Sequence, residues 1–547
     1  MSPQMLPMAG QSAARVGAGA EARVVLVGFE DQDNLGLRYL SSRLKQDGHR
    51  TRIVAFGNGA APILEAARTL DAHVIGFSLI FQYMVPQFRD VMEELRAAGI
   101  TAHFTIGGHY ASFEPEALLS AIPQLDSVVR FEGEDALAEI AGRIASGLDW
   151  SGTAGVVHRG PGRAGYVHGP KRQGRESLDE LPWPDRDDID YHAQRTPTAS
   201  MLGSRGCPWV CSFCSIITFY EGNGTKGRRR RDPARVVDEL EYLHRQRGVE
   251  VVLWQDDDFL AGGPVAVRWA HGVAREAIRR GLHHTLRWKL SCRSDEVTPE
   301  TVGPLVEAGL THVYLGVESG DEESLKHLNK RLKPDVHLRA RDVLRELGVT
   351  FDFGFMLMEP WSTIDTVRAN IEFLRAFVGD GSSPATFCRM LPYVGTASQQ
   401  QLLDEGRFYE TNLQADYSFL DPRLDTYYRW LLKTFDSRNF TRTGTLNLLR
   451  IVQFQANLRK VGPVLDAAVR GIISANNVAV FDALDDALKY VEAAPDASAD
   501  DPFLEVLSWE QERSDAHSRL DLGAFELAFA ARDANRAGRT GATAQHA

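Results

Sequence analysis

The sequence predicts an α/β protein with a doubly wound N-terminal domain of the Rossmann or flavodoxin type, a second series of strand–helix units and a mostly helical C-terminal region. Short apolar runs such as ARVVLVG and VIGFSLI alternate with amphipathic stretches, which implies a parallel sheet covered by helices on both faces. Six further units of this kind begin at TASMLGS. Beyond them, aromatic residues recur at helical spacing, which is typical of buried helix faces.

Changes in composition predict the domain boundaries. The chain of 547 residues is longer than one hydrophobic core usually supports. Residues 1–20 are rich in Gly, Ala and Ser and lack hydrophobic periodicity, which predicts a disordered tail, and residues 531–547 read the same way. Between the tails we expect a doubly wound domain (21–150), a linker with a hairpin (151–196), a second α/β domain (197–394) and a helical domain (395–530).

The charge balance narrows the classes of partner. The chain has 73 acidic and 61 basic residues and a formal net charge of -12, whereas nucleic-acid binders normally present a basic surface. No stretch approaches the roughly 18 continuous apolar residues of a membrane span. Few cysteines and no N-terminal apolar segment indicate a cytoplasmic protein. We therefore expect neither a nucleic-acid nor a membrane partner.

Three cysteines with CxxxCxxC spacing lie in the segment GCPWVCSFC, at Cys207, Cys211 and Cys214. A [4Fe–4S] cube usually takes four cysteine ligands, so a compact set of three leaves one iron open to a small molecule. A structural zinc site would want four ligands, usually in two pairs. The remaining Cys292 and Cys388 stand alone in apolar runs, where buried inert thiols are expected.

This spacing resembles the hallmark of the radical S-adenosylmethionine (SAM) superfamily. The resemblance implies a partial (β/α)6 barrel over residues 197–394, with functional groups at the carboxyl ends of its strands. It implies that Cys207, Cys211 and Cys214 bind the [4Fe–4S] cluster and serve catalysis, with Phe213 beside the cofactor. After the fifth strand, Met358, Trp361 and Ser362 depart from the family's GLPGET-like pattern, and the two larger side chains are expected to add bulk near the pocket.

The same resemblance implies SAM contacts at the ends of the middle strands. The segment GVESG matches the family's glycine-and-glutamate motif, and an arginine at the end of the third strand suits a carboxylate because its guanidinium fork is bidentate. Three consecutive aspartates end the second strand, and one of them is expected to take the SAM amino group. The implied contacts are Asp256, Ser291, Arg293, Gly316, Glu318 and Ser319.

Three loops of the first domain resemble the cobalamin-binding domain family, whose pattern is DxHxxG, SxL and GG. The matching segments are Asp31–Gly36, Ser78–Ile80 and Gly107–Gly108. Asp33 stands where the family has its cobalt-ligating histidine, so the resemblance implies a bound cobalamin without that ligand. A flavodoxin-like domain without cobalamin is the alternative. The implied contacts are Asp31, Asp33, Gly36, Ser78, Gly107, Gly108 and His109.

Together, the two resemblances imply a cobalamin-dependent radical SAM enzyme. The leading hypothesis is a methyltransferase that acts on an unactivated carbon of a small metabolite or peptide through a 5′-deoxyadenosyl radical and methylcobalamin. An external electron donor of the flavodoxin or ferredoxin type would supply electrons. Alternatives on the same scaffold are a cyclase or ring-rearranging enzyme and a polar C-methyltransferase. Two further alternatives are a radical SAM enzyme that does not bind cobalamin and a non-catalytic sensor that binds the cluster or cobalamin.

Overall fold

The computed structural model describes residues 20–30, 33–162, 165–194, 196–225, 227–411 and 414–543, with side chains described up to residue 525. The tail predicted for residues 1–20 lies outside the described residues except for its last residue. The chain divides into two compact units. The first contains the residues up to Arg172 together with Leu181–Arg186, and the second contains Gln173–Glu180 and everything from Asp187 onward.

The first unit is built on a seven-stranded sheet of order β2-β1-β3-β4-β5-β6-β7. Its elements, in chain order, are β1 (Arg23–Gly28), α1 (Leu35–Gln46), β2 (Arg50–Ala55), α2 (Ala60–Leu70), β3 (Val74–Ser78), α3 (Val85–Ala97), β4 (His103–Gly107), α4 (His109–Phe113), α5 (Pro115–Ala121), β5 (Ser127–Val129), α6 (Glu134–Ala145), β6 (Val156–Arg159) and β7 (Tyr166–His168).

Strands β1 to β5 are parallel, which confirms the doubly wound domain. The order 2-1-3-4-5 reverses direction between β1 and β3, and open sheets of this type bind ligands beyond the carboxyl ends of the strands at such a point. The hairpin predicted in the linker is present as β6 and β7. It pairs antiparallel with β5 and extends this sheet, so it is part of the first unit instead of a free connector.

The second unit contains a six-stranded sheet of order β15-β14-β13-β12-β11-β8. Every neighbouring pair in it is parallel, which confirms the partial (β/α)6 barrel. The elements of this part are β8 (Thr198–Met201), β9 (Ser204–Arg205), α7 (Ile216–Gly222), β10 (Arg229–Arg230), α8 (Pro233–Arg247), β11 (Val251–Trp254), α9 (Gly263–Arg279), β12 (Arg287–Arg293), α10 (Pro299–Glu307), β13 (Leu310–Glu318), α11 (Glu322–His327), α12 (Pro334–Glu346), β14 (Thr350–Met358), α13 (Ile364–Val378) and β15 (Cys388–Arg389).

Side chains alternate along the barrel strands with the period of two that strands impose. On β13, Val313, Leu315 and Val317 are fully buried, whereas Tyr314 and Glu318 are more accessible. We call the side of the sheet that carries Tyr314 and Glu318 the inner face. Near the start of the strands this face is filled by a charged network in which the Asp352 carboxylate lies 3.2 Å from His312 and 3.5 Å from Arg450 of the C-terminal region.

The C-terminal region is mostly helical, as predicted. It comprises α14 (Ala397–Asp404), the hairpin β16 (Phe408–Thr411) and β17 (Gln414–Tyr417), α15 (Pro422–Phe440), α16 (Thr445–Leu458), α17 (Pro463–Ala493) and α18 (Pro502–Thr543). Because α18 continues to Thr543, the prediction of an irregular tail is wrong for residues 531–543. That segment is rich in alanine and arginine, which are strong helix formers.

Helix α17 bears on the expectation that the chain contains no membrane-spanning stretch. Within the described part of the chain, it is long and apolar enough to cross a membrane by length and composition alone, with a mean hydropathy of 1.3. Core helices of soluble proteins pass the same test. Val480, Phe481 and Leu484 of α17 are fully buried, and the helix packs on α13, α15, α16 and α18. Packing buries 33% of its most apolar window and so accounts for part of its hydropathy.

Candidate functional site

The cysteine loop follows the first barrel strand directly. Cys207, Cys211 and Cys214 are half-buried free thiols, and the Cys214 backbone N–H donates to the Cys211 carbonyl at 3.2 Å. Gly206, which precedes them, has φ +91°, and a Cβ there would lie 2.3 Å from the Gly227 carbonyl oxygen. Glycine is therefore required where the chain turns into this loop.

The three thiols fit a cubane cluster better than a single metal ion. Among the described residues, no three His, Cys, Asp or Glu side chains converge to hold one ion. In a cube each thiolate binds a different iron, so the sulfur atoms need not converge. Burial raises the pKa of the Cys207 thiol to about 12 and that of the Cys214 thiol to about 11. These thiols therefore lose their protons when they bind iron.

A buried ion pair lies near this loop. Lys330 is 4% exposed, and its Nζ donates to Glu318 Oε1 at 3.0 Å. Glu318 has φ +69°, a strained conformation for a residue with a side chain. A Cβ on Gly316 would lie 2.9 Å from both Glu318 Oε1 and Lys330 Nζ. Gly316 thus leaves the room that the pair occupies. Sequence reasoning missed Lys330, because no motif marks a buried lysine in the segment KHLNKR.

Arg293 braces the cysteine loop. It is 4% exposed, its Nη2 donates to the Lys330 carbonyl at 2.8 Å, and its Nε donates to Asp295 at 3.0 Å. Its guanidinium carbon lies 4.2 Å from the ring centroid of Trp209. In sequence, Trp209 lies between Cys207 and Cys211. The Arg293 side chain is thus engaged within the protein, and its contact with the SAM carboxylate stays a prediction. Burial raises the pKa of the Cys211 thiol, and the nearby Lys330 ammonium partly offsets this effect.

The three aspartates after β11 have different roles. Asp256 is 4% exposed, and it accepts the Gly203 N–H at 3.0 Å and the Ser204 hydroxyl, so it holds the loop. Its contact with SAM stays a prediction. Asp257 is more exposed than Asp256 and Asp258, and it accepts the Gly206 N–H at 2.8 Å. Burial among neighbouring atoms raises the pKa of Asp257 to about 6. Asp257 is thus the better candidate for an ammonium group.

Three other predicted contacts lie in distinct environments. Ser319 is fully buried and donates to Asn370 Oδ1 at 2.8 Å, so its side chain holds α13 against the barrel, and its contact with the cofactor stays a prediction. Ser291 is half-buried on β12, in register with Tyr314 on β13. Phe213 is partly buried and packs against the barrel core. Roles for Ser291 and Phe213 stay predictions.

The segment after the fifth strand packs within the second unit, and its effect on a pocket stays a prediction. Met358 is 1% exposed in the barrel core, and Ser362 is fully buried, where its hydroxyl accepts the Glu359 N–H at 2.9 Å. The Trp361 indole donates to Glu405 at 3.0 Å. The departures from the family pattern are therefore absorbed by contacts with the rest of the unit. Sequence reasoning could not place the Trp361 side chain because its partner Glu405 is distant in the chain.

The exposure of Cys388 differs from the prediction. It was expected to be a buried thiol, but it is exposed at the start of β15. Surrounding protein raises the pKa of this thiol to about 12, and the Glu318 carboxylate adds to the effect. On the neighbouring strand β14, a Cβ on Gly354 would lie 2.7 Å from the Tyr314 hydroxyl oxygen, so glycine there leaves room for this hydroxyl. The alternation of strand TFCRMLP is the signal that could have placed Cys388 on the inner face. Cys292 is buried, as predicted.

In the first unit, glycines form a cradle at the carboxyl ends of β3 and β4. Ser78 ends β3 and pairs in register with Gly107, which ends β4. Gly108 has φ +111°, and a Cβ there would lie 2.1 Å from the Leu79 carbonyl oxygen. The two loops thus approach so closely that only glycine fits, and they offer main-chain atoms to a flat ligand. This cradle fits a cobalamin. Gly36 lies in the first turn of α1.

The position of the missing histidine is occupied by an ion pair. Asp33 lies 2.7 Å from Arg186, and the two side chains are 8% and 2% exposed. His109 begins α4, and desolvation lowers the pKa of its imidazole to about 4, so it is neutral at physiological pH. Asp31 lies outside the described residues. The carboxylate of Asp33 is thus held by a cation within its own unit.

Two family descriptions match the chain. Residues 23–141 match the B12 binding domain, and residues 201–374 match the radical SAM superfamily. The first range covers the glycine cradle, and the second covers the cysteine loop and the barrel through most of α13. Both assignments agree with the folds described above.

Curated relatives include methyltransferases and cyclases. An uncharacterized methyltransferase of Pyrococcus horikoshii is 25% identical over 457 residues, 80% of this chain and 93% of the relative. A hopanoid C-3 methylase of Methylococcus capsulatus is 27% identical, over 66% of this chain and 67% of the relative. An anaerobic magnesium-protoporphyrin IX monomethyl ester cyclase of Rubrivivax gelatinosus is 25% identical, over 70% and 68% of the two chains.

Two solved structures share the fold. The cobalamin-dependent S-adenosylmethionine radical enzyme OxsB, with aqua-cobalamin bound, aligns with a TM-score of 0.66 at 14% identity, over 92% of this chain and 84% of that one. The radical SAM methyltransferase TsrM of Kitasatospora setae, with cobalamin and a [4Fe–4S] cluster, aligns with a TM-score of 0.56 at 20% identity, over 70% and 75%. With a B12-binding domain and a radical SAM domain in one polypeptide, the chain belongs to the cobalamin-binding radical SAM enzymes.

Proposed function

We propose that this enzyme methylates an unactivated carbon of a small metabolite or peptide. The observation that carries the proposal is that one chain contains both a three-cysteine loop after the first barrel strand and a glycine cradle in a B12-binding fold. When bound, the cluster with SAM supplies a 5′-deoxyadenosyl radical and methylcobalamin supplies the methyl group. The methyltransferases among the relatives support this reaction.

The residues of the barrel have binding and positioning roles in this proposal. Cys207, Cys211 and Cys214 hold the cluster, and their number leaves one iron free for SAM. Lys330 and Asp257 offer a cation and a carboxylate to the carboxylate and ammonium groups of SAM. Arg293 keeps the loop in place through Trp209. The buried charges lie in a poorly hydrated environment, where each ionic contact is stronger than in water.

Product analysis tests the reaction class. The full chain is reconstituted without oxygen with iron, sulfide and cobalamin, and is supplied with SAM, a reductant and candidate substrates. Methylation through a substrate radical gives 5′-deoxyadenosine and S-adenosylhomocysteine in equal amounts, because one SAM is cleaved to the radical and another donates the methyl group. A polar methyl transfer would give only S-adenosylhomocysteine, and this result would contradict the proposal.

A second candidate is cyclisation, which the cyclase relatives favour. A cyclase would release 5′-deoxyadenosine without S-adenosylhomocysteine, so the same experiment separates the two. If the protein released 5′-deoxyadenosine but bound no cobalamin, it would be a radical SAM enzyme that works without cobalamin. A protein that loads both cofactors but forms neither product with any substrate would indicate a sensor. The flavodoxin or ferredoxin donor and the cytoplasmic location stay predictions.

A further inference from the structure

A cleft between α17 and α18 is distant in sequence from every residue assigned above. It encloses about 540 Å³. On α17 it is lined by Ala479, Asp482, Ala483 and Asp486, which recur at the spacing of one helix face. The two alanines are too small to fill the gap to the opposite helix. The cleft therefore arises from side-chain size along two helices that are otherwise in contact.

One buried side chain in this cleft has unsatisfied hydrogen-bonding groups. Gln511 of α18 lines the cleft and is 2% exposed. Among the described residues, neither its amide oxygen nor its amide nitrogen has a hydrogen-bond partner. A buried amide without partners is costly, because it loses its hydrogen bonds to water without replacing them. A ligand that both donates and accepts hydrogen bonds would remove this cost.

The surroundings of Gln511 favour a cation. Asp482, Asp486 and Glu510 contribute three carboxylates to the lining, and Arg513 contributes one guanidinium. Arg375 reaches Asp482 at 2.9 Å from α13, and Lys489 lies 3.6 Å from Asp486, so two of the carboxylates already have partial neutralisation at the rim. The four lining groups carry a net charge of -2, which Arg375 and Lys489 balance at the rim. Among the described residues, Glu510 is the lining carboxylate without an ion pair, so it is the one left for a ligand cation.

Of the two remaining polar residues in the lining, Ser514 and His517, the histidine adds an acceptor. His517 Nδ1 lies 3.0 Å from the Arg513 carbonyl oxygen. A carbonyl can only accept, so Nδ1 must carry the proton, and the Nε2 atom of the neutral ring is left with a lone pair. Carboxylates, Gln511 Oε1 and His517 Nε2 all accept hydrogen bonds. The cleft thus suits a ligand with several N–H donors and at least one acceptor for the Gln511 amide nitrogen.

We propose that the cleft between α17 and α18 is a binding site for a guanidinium-bearing amide, with Gln511 contacting the amide and the acidic side chains contacting the guanidinium. A guanidinium offers five N–H donors in a plane and stays charged at all relevant pH values. The site is independent of the cluster and of cobalamin. It gives the C-terminal region a recognition role that the barrel chemistry does not require.

Isothermal titration calorimetry on the full-length reconstituted protein tests this site with Nα-acetylargininamide. The matched probe is Nα-acetylcitrullinamide, which replaces the guanidinium with a neutral urea of similar shape. We expect the arginine compound to bind and the citrulline compound to bind at least about tenfold more weakly, since hydrogen bonds to charged groups are the stronger ones. Equal affinity for the two probes, or no heat with either at millimolar concentration, would overturn the proposal.

Variants localise the binding. Gln511→Met keeps the side-chain volume but removes both amide groups, and we expect it to weaken binding about fivefold. Glu510→Gln removes one lining charge and should weaken binding as well, whereas Glu512→Gln makes the same change at an exposed neighbour outside the lining. Binding that is unchanged in both Gln511→Met and Glu510→Gln, with their thermal unfolding intact, would show that the probe binds elsewhere and would refute the assignment.

Discussion

The two cofactor sites of this chain differ in whether backbone or side-chain atoms form them. In the first unit the cradle is made by the backbone, because Gly108 brings its loop within van der Waals distance of Leu79 and excludes any side chain. In the barrel the site is made by buried side-chain charges, in which Lys330, Glu318 and Arg293 hold one another. A backbone site tolerates few changes at its glycines, whereas a charged site tolerates few changes in its pairing.

The largest expected effect is at the cysteine loop. Replacing Cys207, Cys211 or Cys214 by Ala removes a cluster ligand, and we expect the loss of nearly all cluster iron and of SAM cleavage. Iron analysis and electron paramagnetic resonance of air-free protein measure this. Cys388→Ala is the control, since it also removes an accessible thiol but lies on β15. A full iron content in the three loop variants would contradict the assignment.

The glycine cradle should be the next most sensitive feature. Gly108→Ala places a methyl group 2.1 Å from the Leu79 carbonyl oxygen, so the two loops must separate and cobalamin binding should fall by more than tenfold. Gly57→Ala is the matched control, because Gly57 has nearly the same φ (+112° against +111°) with no atom within 4 Å of the added Cβ. The absorption spectrum of bound cobalamin reports both. Equal losses in the two variants would show that backbone strain, not close approach, is responsible.

The charged site should respond to loss of pairing. Lys330→Met leaves the partly buried Glu318 carboxylate, which is 15% exposed, without its partner, and we expect a cost of about 1–3 kcal/mol in the free energy of unfolding. Glu318→Gln in addition should recover part of this cost, since it removes the unpaired charge. Chemical denaturation of the single and double variants gives the coupling energy. Strictly additive effects would mean that the 3.0 Å contact contributes no coupling.

The smallest expected effect distinguishes the ion pairs of the first unit. Asp33→Asn removes the charge from a pair that is 8% and 2% exposed, and we expect a loss of about 1–3 kcal/mol in the free energy of unfolding. Asp71→Asn makes the same change in a pair with Arg23 where Asp71 is 90% exposed, and we expect at most about 0.5 kcal/mol. Equal effects would show that burial does not strengthen the Asp33 pair.

Asp33 also sharpens the view of cobalamin binding. If the cradle binds the cofactor mainly through its backbone, the wild-type protein should bind cobalamin without a histidine at this position. Asp33→His would then add no affinity, and it would lose the ion pair with Arg186. Binding by Asp33→His alone would contradict this account.

The sequence by itself determined the folds, the cysteine loop and the glycine cradle. Hydrophobic periodicity dictates strand and helix order, and cysteine spacing and paired glycines are local patterns whose chemistry needs no distant partner. Only the tertiary structure decided which charged residues are available. The side chains of Arg293, Asp256 and Ser319 bond to residues distant in sequence, and Lys330 pairs with Glu318. Asp257 and Cys388 remain exposed. Pairing between charges depends on distances in space, and the order of residues along the chain does not encode these distances in any local pattern.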